Sequence, residues 1–373
     1  MSIPAGALDG ICVVDLTRVL GGPYCTQMLG DHGADILKIE PPGGDETRAW
    51  GPPFQNGLSS YFLGVNRNKR SVVLDLTQPD GRDKLLKLLV DADVMVENFK
   101  PGTLEKWDLG YKEVLAAQFP RLIHCCISGF GADGPLGGLP GYDAAIQAAC
   151  GLMSINGDPA GEPTRIGVPI VDLVTGLNAT IGILLALQER ARSGKGQSID
   201  ITLYDSAISV LHPYTPNYLY SGRVPQRSGN AHPNISPYDS YKTRTAPIFL
   251  AVGNDRQFEK LVVLLDCAGL AQDPRFKTNP DRIRARDELK IELEKLLAHW
   301  NCDELAEKLI RNGVPCGPVR TVDQVLAHPH TAHRGMLVEI GDYRGTGAPI
   351  KMSRNRPSYR LKPPQLGEHN GEL

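Results

Sequence analysis

The sequence predicts an α/β protein with a large doubly wound, Rossmann-like domain and a smaller α/β domain. Three observations carry this expectation. Through residues 1–211, short apolar runs alternate with amphipathic stretches, the pattern of βαβ units around a parallel sheet. Over 212–247 a proline-rich stretch carries no helical period and reads as a loop-rich connection. Beyond it, a strand-like run and three helical patterns return. The expected division is therefore 1–211, 212–247, 248–325 and a returning segment, 326–373.

The elements follow in order. GICVVDL, ADILKIE, SVVLDL, DVMVENF and LIHCCIS are apolar runs of strand length, while the segment from Pro23 and GRDKLLKLLVDA carry helical spacing. Asp172 to Arg192 predicts one long helix, with Asp172 as N-cap and Gly194 in the left-handed position after its end. SIDITLYD follows as a strand. In the second domain PIFLAVG reads as a strand, and RQFEKLVVLLDCAGL, RIRARDELKIELEKLLAHW and CDELAEKLIRNG as helices. From Met336 short strand-like runs and turns return.

Composition narrows the function classes. The 373 residues are 41% hydrophobic and 22% charged with a formal net charge of −2, which excludes disorder and gives no support to a polyanion-binding surface. Eight cysteines make no C-x-x-C pair and read as buried thiols of a reducing compartment. Asp9 and Asp15 interrupt the segment where a signal peptide needs an apolar core, and the apolar helical stretch Ile181 to Leu187 falls short of the roughly 20 residues of a membrane span. The expectation is a cytoplasmic or mitochondrial-matrix protein.

Familiar catalytic motifs fail on context. G-x-G-x-x-G at 129–134 follows a strand, but Pro135, Gly137, Gly138 and Pro140 follow it where a dinucleotide site needs a helix. SGKGQ at 193–197 ends a helix and lacks the upstream glycine of a phosphate loop. His328, His330 and His333 lack a carboxylate partner at metal-ligand spacing, and G-x-S-x-G does not occur. Asp172 stands out as a carboxylate expected at a helix N-terminus, where the macrodipole and free N–H groups keep such a group ionised.

Several stretches, in this order, resemble one family. They are Asp15–Pro23 (DLTRVLGGP), Lys38–Glu40 (KIE), Gly44–Arg48 (GDETR), Asn68–Ser71 (NKRS), Val96–Phe99 (VENF), Gly141–Asp143 (GYD), Asp172–Gly176, Gly194–Gln197 (GKGQ), Gly313–Pro318 (GVPCGP) and Leu366–His369 (LGEH). Over essentially the whole chain the sequence resembles the class III CoA-transferases, a group that includes formyl-CoA transferase, carnitine CoA-transferase and α-methylacyl-CoA racemase.

The resemblance implies that Asp172 is the nucleophile. Its carboxylate would attack an acyl-CoA thioester to give a mixed anhydride, and the released thiolate would return to form an aspartyl-CoA thioester, which an acceptor acid then resolves. Covalent catalysis of this kind needs an oriented, ionised carboxylate and requires no ATP, metal or tightly bound cofactor. Coenzyme A and acyl-CoA enter as substrates.

The racemase branch has a histidine base at the position of Tyr142, and a phenol, ordinarily titrating near pH 10, is a poor base. Tyr142 thus favours transfer over racemisation. A non-catalytic acyl-CoA-binding protein is the other alternative, against which the intact Asp172 and Gly176 argue. By the same resemblance Leu74, Asn98, Phe99, Lys106 and Tyr142 are expected against CoA, Lys106 standing where formyl-CoA transferase has an arginine.

Two departures bear on the substrate. Leu20 replaces a glutamine of the formyl-CoA enzyme, and Gly229–Pro233 (GNAHP) replaces its tetraglycine loop. TRAWGPPF, VNRNKRSV and AHPNISPY are closer to the succinyl-CoA-dependent dicarboxylate branch, including the glutarate CoA-transferase. A distal carboxylate needs a cation, for which Arg18, Arg48 and His232 are the candidates. Members of the family form interlocked homodimers, so a homodimer is also expected.

Overall fold

The computed structural model describes residues 6–372. The chain separates into two compact units: 6–152, 165–223 and 329–372 form the first, and 153–164 with 224–328 the second. The segment 212–247 is therefore shared, its helix Tyr214–Ser221 belonging to the first unit and its strand Tyr238–Tyr241 to the second.

In the first unit six strands form one parallel sheet: β1 (Cys12–Asp15), β2 (Asp35–Glu40), β3 (Lys69–Val73), β4 (Val94–Glu97), β5 (Ile123–Ser128) and β6 (Ser198–Thr202). Their order is β3-β2-β1-β4-β5-β6. Val13 on β1 pairs with Ile36 on one side and Val94 on the other. The period-2 alternation of each strand feeds two cores, which is why the strands read as nearly continuous apolar runs. On one face Val13, Ile36, Val94, Val96 and Ile123 pack with Cys25 and Leu29 of helix α1 (Gly21–Asp31). On the other, Val14, Leu37, Val72 and Met95 meet Leu85 and Leu89 of α2 (Pro79–Leu89). After β4 comes the short helix α3 (Thr103–Lys106), and after β5 comes α4 (Asp143–Ala149).

Helix α5 (Ile170–Ser193) completes the first face with Val171, Ala179 and Ile183, and ends at Gly194 with φ 73°, as its sequence predicted. Truncating fully buried Ile183 to alanine would cost about 2–5 kcal/mol. By length and a mean hydropathy of 2.0 over its best window, α5 is apolar enough to cross a membrane, contrary to the sequence estimate. The reason is that an outer stripe, Leu177, Ile181, Leu184 and Leu185, adds to the buried one. After β6, helix α6 is Leu203–Ser209.

The edge strand β3 is covered by the returning C-terminal segment. Ser71 and His369 exchange bonds, the Ser71 N–H donating to His369 Nδ1 (3.1 Å) and the His369 N–H to the Ser71 carbonyl (2.9 Å). This satisfies an otherwise open edge.

The second unit holds an antiparallel sheet in the order β9-β8-β7, made of β7 (Tyr238–Tyr241), β8 (Ile248–Ala251) and β9 (Cys316–Pro318). Ile248, Leu250, Leu261, Leu289, Leu293 and Leu305 form its core with helices α7 (Asp255–Leu264), α8 (Arg286–Leu297) and α9 (Cys302–Arg311). Strand β7 was not legible because one of its two inward residues, Asp239, breaks the apolar alternation.

Candidate active site

The strand order reverses between β1 and β4, so the chains leaving their carboxyl ends diverge and open a crevice there. A cavity of about 240 Å³ occupies this place, lined by residues 18–22 after β1, 98–101 after β4, and Ser128, Tyr142 and Asp172. It is smaller than the roughly 300–1,000 Å³ of a cleft that encloses a drug-sized ligand. Its size suits the reacting end of a long substrate.

A buried ionic network holds the loop after β1. The Asp15 carboxylate accepts from the Thr17 N–H (2.9 Å), the Thr26 hydroxyl (2.6 Å) and the Lys69 ammonium (3.0 Å). Burial alone would raise the Asp15 carboxyl, yet Lys69 and Lys38 together hold it below the usual range. Burial dominates at Lys69 and lowers it to about 8. Lys38 donates to the Thr17 carbonyl (2.7 Å) and to Asp45 (3.1 Å). Between these anchors Val19 adopts φ 71°, a backbone conformation that costs a β-branched residue about 1–3 kcal/mol.

Asp172 is not the N-cap of its helix. α5 begins at Ile170, which makes Asp172 its third residue, and the capping acceptor comes from Asp143 on α4. Asp143 Oδ2 accepts the N–H of Val171 (2.7 Å) and of Asp172 (3.1 Å), and Oδ1 accepts from Gln147 Nε2 (2.6 Å). The Asp172 carboxylate is thereby released from capping, and among the described residues no donor reaches its oxygens. Burial, then the neighbouring Asp143 charge, pushes Asp172 up to about 7. The expectation that Asp172 caps the helix and is kept ionised there by the free N–H groups is corrected accordingly.

Two further features complete the surroundings, of which the sequence reading missed Tyr61. Burial, then Asp172 and Asp143, pushes the Tyr61 phenol up to about 12, so it remains a neutral donor near the carboxylate pair. Gly21 and Gly176 let α1 approach α5: a methyl on Gly176 would lie 2.5 Å from the Gly21 carbonyl oxygen. No local pattern marks Tyr61, since it is tied to Asp172 by fold alone.

Of the other predicted residues, Arg18, Leu20, Asn98, Phe99 and Tyr142 line the cavity. Leu74 is buried in the second-face core and Lys106 is exposed at the end of α3; neither lines it. Arg48 is committed elsewhere. It binds both Glu40 oxygens (2.8 and 2.6 Å) and the Pro364 carbonyl, and lies 3.9 Å over the Phe62 ring. His232 belongs to the second unit, where its Nδ1 accepts from the Asn234 N–H (3.0 Å). Burial, then Arg286, lowers it below the usual histidine value.

Comparison with known proteins gives a consistent picture. Residues 8–370 match CoA-transferase family III. The chain is 42% identical to a succinate–glutarate CoA-transferase of Agrobacterium fabrum, over 98% of this chain and 94% of that one. It is 38% identical to a human succinyl-CoA:glutarate CoA-transferase (98% and 85%) and 40% identical to an acetyl-CoA:oxalate CoA-transferase of Acetobacter aceti (99% and 95%). Among solved structures, a CAIB/BAIF family protein from Brucella suis superposes with a TM-score of 0.89 at 44% identity, covering 99% of this chain and 98% of that one.

Proposed function

The chain belongs to CoA-transferase family III and is an enzyme of that activity, and we propose that it moves CoA from succinyl-CoA to a dicarboxylate such as glutarate through an aspartyl-CoA thioester on Asp172. The observation that carries this reading is the Asp172 carboxylate, open to the cavity at the strand-order reversal and free of the capping bonds that Asp143 takes.

The reaction balances within carboxylates and thioesters. An ionised Asp172 oxygen attacks the thioester carbonyl, the C–S bond breaks, and CoA leaves as thiolate from a mixed anhydride. The thiolate then attacks the aspartyl carbonyl, expelling succinate and leaving the enzyme thioester. Acceptor carboxylate attacks that thioester, thiolate leaves again, and its attack on the acceptor carbonyl of the new anhydride regenerates Asp172. A carboxylate raised to about 7 is more basic than an ordinary one and still largely ionised in slightly alkaline solution.

For the distal carboxylate the proposal selects Arg18, which lines the cavity, over Arg48, whose guanidinium is already paired. His232, lowered by burial, is neutral at pH 7 and unsuited to the task. Leu20, Asn98, Phe99 and Tyr142 are proposed to contact the thioester end. Leu74 and Lys106 remain proposals for the distal part of CoA. A racemase would need a second base, and no histidine lines the cavity among the described residues. The proposal includes a homodimer, supported by the exposed stripe of α5, and a reducing compartment, cytoplasm or matrix, supported by eight free thiols.

Incubation with succinyl-CoA followed by hydroxylamine tests the mechanism, because hydroxylamine converts an activated aspartyl group to a hydroxamate. Peptide mapping is expected to find that modification at Asp172. Unmodified Asp172 during active transfer would overturn the assignment. The same enzyme given a chiral 2-methylacyl-CoA in deuterium oxide is expected to exchange no α-proton above background.

A further inference from the structure

We propose that Asp143 is a positioning residue for the transfer: with Gln147 it clamps the first turn of α5, aims the Asp172 carboxylate into the cavity and holds a second negative charge beside it. The inference rests on reading Asp172 as the nucleophile.

The geometry is a two-sided clamp. One Asp143 oxygen takes the second and third N–H groups of α5, those of Val171 and Asp172. Its other oxygen is held by Gln147, one turn along α4, whose own Oε1 accepts the Ile166 N–H (2.8 Å) from the chain entering α5. One buried side chain pair thus fixes both the approach to the helix and its opening turn. α4 also begins directly after Tyr142, so the same short helix sets Tyr142 and Asp172 in one register around the cavity.

The electrostatic consequence is one-directional. Asp143 has three donors and Asp172 has none among the described residues, so bringing the two carboxylates together makes the one without donors the more basic. The other titratable groups lining the cavity are Arg18, Glu46, Lys100 and Tyr142, with Tyr61 close enough to feel both carboxylates and Tyr24 of α1 packed beside Gly176. None of these is a second carboxylate bonded to its own helix turn.

The test is the pH profile of kcat/KM for D143N and D143A, with melting temperature measured in parallel. The wild-type acid limb is expected near pH 7. D143N keeps an oxygen for the helix N–H groups but removes the charge, so its limb moves down. A limb one unit lower leaves about eight times more ionised Asp172 at pH 5.5. D143A also removes the acceptor, and its plateau rate is expected to fall roughly 100-fold. The double variant D143N/Q147E re-pairs an amide with a carboxylate and is expected to recover part of the plateau and the melting temperature.

A merely structural Asp143 would scale activity equally at every pH. A D143N limb unchanged from wild type overturns the inference and leaves Asp172 as nucleophile intact. A wild-type enzyme without an acid limb, whose Asp172 also escapes hydroxylamine, overturns the underlying reading instead.

Discussion

Asn98 and Arg18 lock the two diverging chains of the crevice together. The Arg18 N–H donates to Asn98 Oδ1 at 2.9 Å, and Asn98 Nδ2 donates back to the Arg18 carbonyl at 2.7 Å. A single amide side chain at the end of β4 therefore fixes the backbone after β1, in the loop where Val19 is strained, while the Arg18 guanidinium stands 5.9 Å from the Phe99 ring centre.

Asn98→Ala is expected to lower kcat/KM by about 5- to 150-fold, the loss of two hydrogen bonds worth roughly 0.5–1.5 kcal/mol each. Because the loop carries cavity residues, the effect on activity should exceed the effect on melting temperature. Steady-state kinetics beside calorimetry checks this, and a variant destabilised but fully active would contradict it.

Asp172→Asn is expected to abolish transfer while leaving the fold intact, since the Asp172 side chain caps nothing. It should also change the pH dependence of stability. The folded-state value, about 7, lies above the ordinary 3.8, so the folded protein binds this proton more tightly. The stability it contributes is full below about pH 4 and is lost as pH rises through 7. Denaturant titrations at pH 4.5 and 8 are expected to show the wild type losing, on the order of a few kcal/mol, stability that the variant keeps.

Arg18→Met should weaken discrimination between substrates. A charge-assisted hydrogen bond to a distal carboxylate is worth roughly 1.5–3 kcal/mol, about 10- to 150-fold. The preference of the wild type for C4–C6 dicarboxylates over unsubstituted monocarboxylates, measured as a ratio of kcat/KM, is expected to shrink by that factor. An unchanged ratio would remove Arg18 from the acceptor site.

Gly176→Ala should separate α1 from α5. The added methyl meets the Gly21 backbone, its carbonyl oxygen at 2.5 Å, and the Tyr24 ring at 3.2 Å, and the backbone contact has no flexible side-chain tip to give way. Overpacking of this kind costs roughly 1–3 kcal/mol. A measurable fall in melting temperature with a larger fall in activity is expected, because Gly21 also borders Asp172.

The sequence by itself determined what is local. Strands such as 94–96 read correctly because burial on both faces writes apolar residues at consecutive positions, and Gly194 marked its helix end because a left-handed turn favours glycine. Asp172 was singled out only by resemblance to a family, since an aspartate at a helix start most often caps. What the tertiary structure decided is how that carboxylate behaves. Its cap is supplied from 29 residues upstream, by Asp143, and Tyr61 is brought to it from another part of the chain. Likewise Arg18 and Arg48 look equivalent in the sequence, and only the folded arrangement shows one lining the cavity and the other neutralised by Glu40. Hydrogen bonds and charges act through distance in space, and the separation of two residues along a chain carries no record of that distance until the sheet has brought them together.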